Sequence, residues 1–266
     1  MLDHDFVKVA AVISASGQDN FGKQLDAVIT DIAVFDMSCI FAFRFNAEPH
    51  LIHDGYSKTV SRKALSSYMR GGYLLDPFYV ACISGHETGL WRMGELAPDS
   101  FFNSDFVISH DIHPCVSSEA GVLIEEIGFV VPLGEDVSAT YSLMRNQGKL
   151  PFSTIEISKL QAAEPFIRAA LQAHWKMVRP AGFTPVATSA NDIETMFLSV
   201  FKDQLTSTQR NVARMILRGH SNASIANILN ITEGTAKLHR SNIYKRLSIS
   251  SQTELFQLFI NYLSHH

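Results

Sequence analysis

The 266 residues are enough for two domains, and 46% hydrophobic with 18% charged residues is the ordinary balance of a soluble globular protein. The N-terminus opens with acids at Asp3 and Asp5 rather than a basic segment, and no apolar run approaches the roughly 18 residues of a membrane span, so export and membrane insertion are not expected and a cytoplasmic location is. Three cysteines, Cys39, Cys82 and Cys115, are odd in number and widely spaced, which suits reduced thiols better than a disulfide framework.

From Phe21 to about Phe35, Leu25, Val28, Ile29 and Ile32 recur at helical spacing and predict a helix. The period then changes. The run from Ser38 to Phe45 is rich in aromatic and β-favouring residues, Asn46 to Pro49 is turn material, and Leu51 to His53 can return as the partner strand. Residues 61–84 read as helices broken at Gly71-Gly72, and Leu90 to Met93 as a short strand. A final hairpin is predicted from Ile124 to Val131 and Ser138 to Arg145, turning at Gly134-Glu135-Asp136. Ser153 and Glu156 form a capping box for a helix that runs towards Trp175, with a kink at Pro165 and an apolar stripe suited to a core or dimer face. Helix, hairpin, helices, strands and helix make an α+β domain, an antiparallel sheet covered by helices.

Residues 178–192 carry two Pro, one Gly and several Ser and Thr, and read as a linker between a domain of residues 1–177 and one of residues 193–266. The second domain reads as all-α, with four short helices in a helix-turn-helix arrangement. Thr206 with Gln209 is a capping box, and Gly219 stands where a helix end needs positive φ. Ser221 can cap the second helix, which ends at Asn230, and Thr232 the third, which continues to Leu247. Ser251 with Glu254 opens the fourth. Two helices joined by so short a turn form the arrangement whose second helix enters the DNA major groove.

At about 100° per residue, Ala236, Ile243 and Leu247 fall on one side of the third helix, while Lys237, Leu238, Ser241 and Lys245 spread across the other. Lysines there can reach phosphates or guanine edges, and Leu238 a thymine methyl. Asn222, Thr232, Thr235 and Asn242 complete the set of candidate DNA contacts; Arg240, nearer the packed side, suits a bracing role as well. Charge supports this assignment: residues 201–266 hold eight Lys or Arg against three acids, net +5, and the remaining residues carry −9. On the fourth helix Leu255, Leu258, Phe259 and Tyr262 make one stripe and Phe256, Ile260 and Leu263 a second. The second stripe is expected to be a homodimer contact that places two recognition helices on a two-fold symmetric operator in double-stranded DNA.

Leu205-Thr206, Ser221-Asn222, Ile225-Ala226, Glu233-Gly234-Thr235, Lys237, His239 to Ile243 and Leu247 together resemble the DNA-binding domain of the LuxR family of bacterial transcription regulators. The family usually has Glu where Gln209 stands and Lys-Glu where Ala223-Ser224 stand. The element order of residues 1–177 resembles GAF and PAS sensor domains and the ligand-binding half of LuxR regulators. Asp76-Pro77 followed by Trp91 is similar to the spacing in quorum-sensing members, where the resemblance implies that the Asp holds a ligand amide. Read from chemistry, a carboxylate walled by Tyr68, Tyr73, Phe78 and Trp91 would hold an amine or amino-acid-like compound. Asp76 equally suits a helix cap before Pro77. Where lactone binders carry Trp and Tyr upstream, the chain has Lys63 and Ser67, so an acyl-homoserine lactone is the alternative rather than the expectation.

His110, His113 and Cys115 lie within six residues, but Pro114 marks a surface turn and no metal site is expected. The sequence has no phosphate-binding G-x-x-x-x-G-K-[ST], no G-x-G-x-x-G and no G-x-S-x-G, so enzymatic activity is not expected. No bound cofactor is expected, although a haem or flavin sensor is an alternative. The expectation is a ligand-controlled, DNA-binding transcription regulator.

Overall fold

The computed structural model describes residues 2–44, 47–56, 58, 60, 62–103, 123–134, 136–146, 148–180 and 200–265. Five antiparallel strands, β1 (Met37–Arg44), β2 (His50–Gly55), β3 (Gly89–Arg92), β4 (Leu123–Gly134) and β5 (Val137–Asn146), form one sheet in the order β2-β1-β5-β4-β3. Helices α1 (Leu2–Ser14), α2 (Phe21–Ile29) and α6 (Thr154–Val178) cover one face. Helices α3 (Arg62–Met69), α4 (Pro77–Ile83) and α5 (Met93–Leu96), with a 3-10 turn at Gly72–Leu75, lie on the other. The expected α+β domain, an antiparallel sheet covered by helices, is therefore present, as is the all-α C-terminal domain.

Coverage on both faces explains why β1 is apolar almost throughout. Met37, Cys39, Phe41 and Phe43 point to the α3–α4 side, and Ile40 and Ala42 to the α1–α2–α6 side. Three polar groups on the sheet converge on one carboxylate of α2. Asp26 accepts from Tyr141 Oη at 2.7 Å and Ser38 Oγ at 2.7 Å, and its second oxygen also lies 2.8 Å from His53 Nε2. At the other end of β5, the buried Arg145 donates to Val34 O, to Leu150 O and to Glu156, with its guanidinium 4.0 Å over the Phe152 ring. The Arg145 hydrogen bond holds Glu156 at about 2 although burial opposes it, so the cap residue of α6 stays ionised.

Several elements depart from expectation. The helix predicted from Phe21 ends at Ile29 instead of near Phe35, because Val34 O is taken by Arg145 and the Asp36 N–H donates to Met144 O at 2.8 Å, pulling the chain towards β1. Met93 opens α5 rather than closing a strand, and α1 has no counterpart in the periodicity. Helix α6 runs unbroken across Pro165. His110, His113 and Cys115 lie outside the described residues, as does most of the predicted linker.

The C-terminal domain consists of α7 (Ser207–Leu217), α8 (Asn222–Leu229), α9 (Glu233–Leu247) and α10 (Gln252–His265). The exposed second stripe expected on α10 is absent: Phe256 is 1% and Ile260 6% exposed in the single chain. Val200 and Phe201 belong to the same buried cluster, and the Phe201 ring lies 6.4 Å from that of Tyr262. The residues offered as a dimer contact are thus covered from within, and the side chain of Leu263 lies outside the described residues.

Two measurements probe this packing. A Cβ added at Gly128 on β4 would stand 2.6 Å from the Phe78 ring, so Gly128→Ala is expected to cost about 1–3 kcal/mol of stability in denaturant unfolding, as overpacking does. Buried His174 accepts the Gly17 N–H at Nδ1 and stacks on Phe21 with centroids 4.0 Å apart. Burial, with the nearby His50 adding to it, lowers its pKa from 6.5 to about 4. The folded pKa is depressed, so this group's contribution is whole above pH 6.5 and is lost as pH falls from there through about 4. His174→Gln should flatten that segment of the stability profile.

Candidate functional site

The four helix starts of the C-terminal domain, and the ends of α7, α8 and α9, carry local signals. Thr206 Oγ1 accepts from the Gln209 N–H while Gln209 Oε1 accepts from the Thr206 N–H, which is the predicted capping box. Gly219, at φ 88°, ends α7, and Ser221 Oγ caps α8 by accepting from Ser224 N at 3.0 Å. Asn230 turns the chain in the left-handed conformation at φ 54°, ψ 48°, and Thr232 caps α9 through the Thr235 N–H. Ser248 repeats the left-handed cap, and the Ser251–Glu254 box opens α10.

Ala236, Ile243 and Leu247 face the core, as the angular argument requires. Lys237, Ser241, Asn242 and Lys245 are exposed on α9, and Leu238 is 60% exposed. Lys237 Nζ rests 2.8 Å from Glu233 Oε1 one turn earlier; an exposed pair of this kind is worth about 0–1 kcal/mol and yields easily to a phosphate. Thr232 is exposed, while Asn222 and Thr235 are half-buried, with Thr232 and Thr235 serving the α9 cap. Arg240 stacks over Tyr244 at 5.4 Å on its own helix. The brace to α7 comes instead from Arg246, which donates to Gln209 Oε1 at 3.1 Å.

Residues 203–259 match the model of bacterial regulatory proteins of the luxR family. The C-terminal helices are a luxR-family helix-turn-helix domain. The chain is 28% identical over 193 residues to a protein of Aeromonas salmonicida named as an HTH-type transcriptional regulator in the exeN 3′ region, a match covering 71% of this chain and 94% of that one. It is 37% identical over 60 residues to the transcriptional regulatory protein MctR of Rhizobium johnstonii, covering 23% of this chain and 28% of the relative. Among solved structures it is similar to the LBD domain of VqsR from Pseudomonas aeruginosa, with TM-score 0.53 and 18% identity, covering 65% of this chain and 96% of that one. At that identity the likeness speaks to the fold of the domain that precedes the luxR-type helices.

In that preceding domain the five predicted ligand residues divide. Asp76, 5% exposed, caps α4: Oδ1 accepts from the Phe78 N–H at 2.8 Å and Oδ2 from Tyr68 Oη at 2.7 Å. Tyr68 meets Tyr73 edge-on, and burial of the Tyr73 hydroxyl, with Glu48 adding to it, pushes its pKa up to about 12. Phe78 lies against Gly128. These four residues therefore form a packed aromatic and carboxylate core. Trp91 is placed differently: its indole N–H donates to Glu87 O at 3.0 Å, its ring meets His86 edge-on at 4.4 Å, and it lines a cavity of about 400 Å³ between β3 and α6 with Glu95, Gln161 and Glu164. A second cavity of about 280 Å³ lies beside it, where Arg92, Met93, Glu95, Phe102 and Glu126 meet.

One contact escaped sequence reasoning. The turn after α5 docks on the turn between α7 and α8: Asp99 Oδ1 accepts from the Ser221 N–H at 3.0 Å, Asp99 Oδ2 from Ser221 Oγ at 2.5 Å, and the Ser100 N–H donates to Gly219 O at 3.0 Å. Burial works against the Asp99 charge, but the Ser221 donors outweigh it and hold its carboxyl below the usual range. No local signal marks an acid whose partner lies 122 residues away.

Conservative substitution separates the two roles of Asp76. Asn caps about as well as Asp, so Asp76→Asn should keep most of the stability, whereas Asp76→Ala should cost about 0.5–2 kcal/mol from the lost cap alone and more from the stranded Tyr68 hydroxyl. Thermal melts of the two variants, with Tyr68→Phe beside them, measure the difference.

Proposed function

We propose that the chain is a non-enzymatic transcription regulator: a small molecule binds the N-terminal domain and changes how the luxR-type domain engages double-stranded DNA. The observation that carries the reading is the exposed row of Lys237, Leu238, Ser241 and Lys245 on α9, opposite the buried Ala236, Ile243 and Leu247, in the second helix of a luxR-family helix-turn-helix. Among the described residues no helix is long and apolar enough to cross a membrane, in keeping with a regulator that meets DNA directly.

The ligand reading moves from Asp76 to the cavity at Trp91. A volume of about 400 Å³ suits a small metabolite, and an indole with the carboxylate of Glu95, beside Glu164 that pairs with Arg168, favours a cationic group. An amine or amino-acid-like compound is therefore preferred to an acyl-homoserine lactone. Operator binding as a homodimer remains part of the proposal, with its contact on a surface other than Phe256 and Ile260.

The test uses a duplex selected from a random pool by the full-length protein. Lys237→Ala and Lys245→Ala should each weaken binding in a fluorescence anisotropy titration without lowering the melting temperature. If Lys245 meets phosphate alone, its loss should reduce the log-log salt slope by about one, and a base-reading Lys237 should relax preference at a single position. Unchanged affinity and slope in both variants would remove α9 as the DNA-reading helix.

A further inference from the structure

The contact between Asp99 and Ser221 has the form of a protein–DNA contact. In a helix-turn-helix the first helix lies across the DNA backbone, and a helix N-terminus is where a phosphate is held, by the first backbone N–H groups and the cap hydroxyl. In this chain the N-terminus of α8 already holds an anion. The Asp99 carboxylate takes both the N–H and the Oγ–H of Ser221, the cap residue, at 3.0 and 2.5 Å. Arg214 in the last turn of α7 and Arg218 and His220 just beyond it are basic, with Arg218 drawn inward by burial, and the charges of Arg214, Arg218 and Asp99 all act on His220.

The docking extends beyond one carboxylate. Phe101, fully buried, passes so close to Gly219 that a Cβ there would lie 2.6 Å from Phe101 Cα. The Arg218 charge reaches Tyr79 on α4, and buried apolar residues run in one cluster from Tyr79 and Phe101 to Leu217 and Ile225. A duplex laid across the start of α8 would meet residues 99–101 in its path.

We propose that Asp99 is a built-in stand-in for a DNA phosphate, so that docking of the N-terminal domain on α8 and binding of the luxR-type domain to DNA compete for the same donors. The inference rests on the DNA-binding reading above and adds an autoinhibitory contact to it.

Asp99 is exposed and sits in a turn, so its replacement leaves the core intact. In the full-length chain, Asp99→Ala should bind the selected duplex several-fold to tenfold more tightly than the natural chain at fixed salt. Glu87→Gln, which removes an exposed acid of the same domain away from α8, should bind as the natural chain does; this control separates competition for Ser221 from a general loss of negative charge. Hydrogen exchange at the Ser221 amide should accelerate in Asp99→Ala without DNA. An affinity unchanged or lowered in Asp99→Ala, or raised equally by Glu87→Gln, overturns the latch while leaving DNA binding in place. If the natural chain and Asp99→Ala both fail to enrich any duplex, the DNA-binding reading falls and the latch with it.

Discussion

Covering the sheet on both faces is the constraint from which the N-terminal domain follows. Strands buried on two sides cannot alternate apolar with polar residues, so each polar side chain that remains must find a partner inside. Asp26 provides one such partner, gathering Ser38, His53 and Tyr141 from three strands under α2. Arg145 provides the other, its guanidinium reaching the three loop carbonyls of Val34, Leu150 and Pro151, Glu156 and the Phe152 face. Removing either member of such a set leaves a buried polar group without compensation, which is why these bonds fix where α2 ends and where α6 begins.

The C-terminal domain is built on the opposite plan, and this difference decides what could be read from sequence. Its helix ends are written within three or four residues of themselves, by Thr206 with Gln209, Ser221, Asn230, Thr232 and Ser251 with Glu254, so the helices and the exposed face of α9 were legible without any tertiary information. The hairpins of the first domain were legible for a related reason, since runs of aromatic and β-favouring residues and the turn residues between them are also local. The end of α2 was not, because Arg145 and Met144 decide it from more than a hundred residues away. Helix α10 was misjudged for the same reason: its second stripe looks surplus, yet Phe256 and Ile260 are buried in a cluster that also draws on distant residues such as Val200 and Phe201.

The candidate ligand site shows the same limit. Asp76, Tyr68 and Phe78 were drawn together correctly because they lie within ten residues, but nearness in sequence gave no hint that the Asp76 oxygens are taken by Phe78 N–H and Tyr68 Oη and that the rings fill the space. The open volume lies instead at Trp91, where Gln161 and Glu164 arrive from α6. A cavity wall assembled from two distant segments leaves no pattern in either one.

The position of that cavity bears on how a ligand could reach the DNA-binding helices. Glu95 lines both cavities, α5 ends at Leu96, and Asp99 follows three residues later; Phe102 lines the second cavity while its neighbour Phe101 is pressed on Gly219. The proposed ligand wall and the proposed latch thus lie on two sides of one short segment, and no long chain of intermediates is needed between them. The energies are of compatible size. An exposed charged pair is worth about 0–1 kcal/mol and a charge-assisted hydrogen bond about 1.5–3 kcal/mol when sheltered, while a tenfold shift in affinity needs only about 1.4 kcal/mol. A ligand that binds the undocked arrangement of residues 93–102 tenfold more tightly than the docked one would therefore offset the hold of Asp99 on α8, because an equilibrium moves by the difference in affinity for its two states and by nothing else.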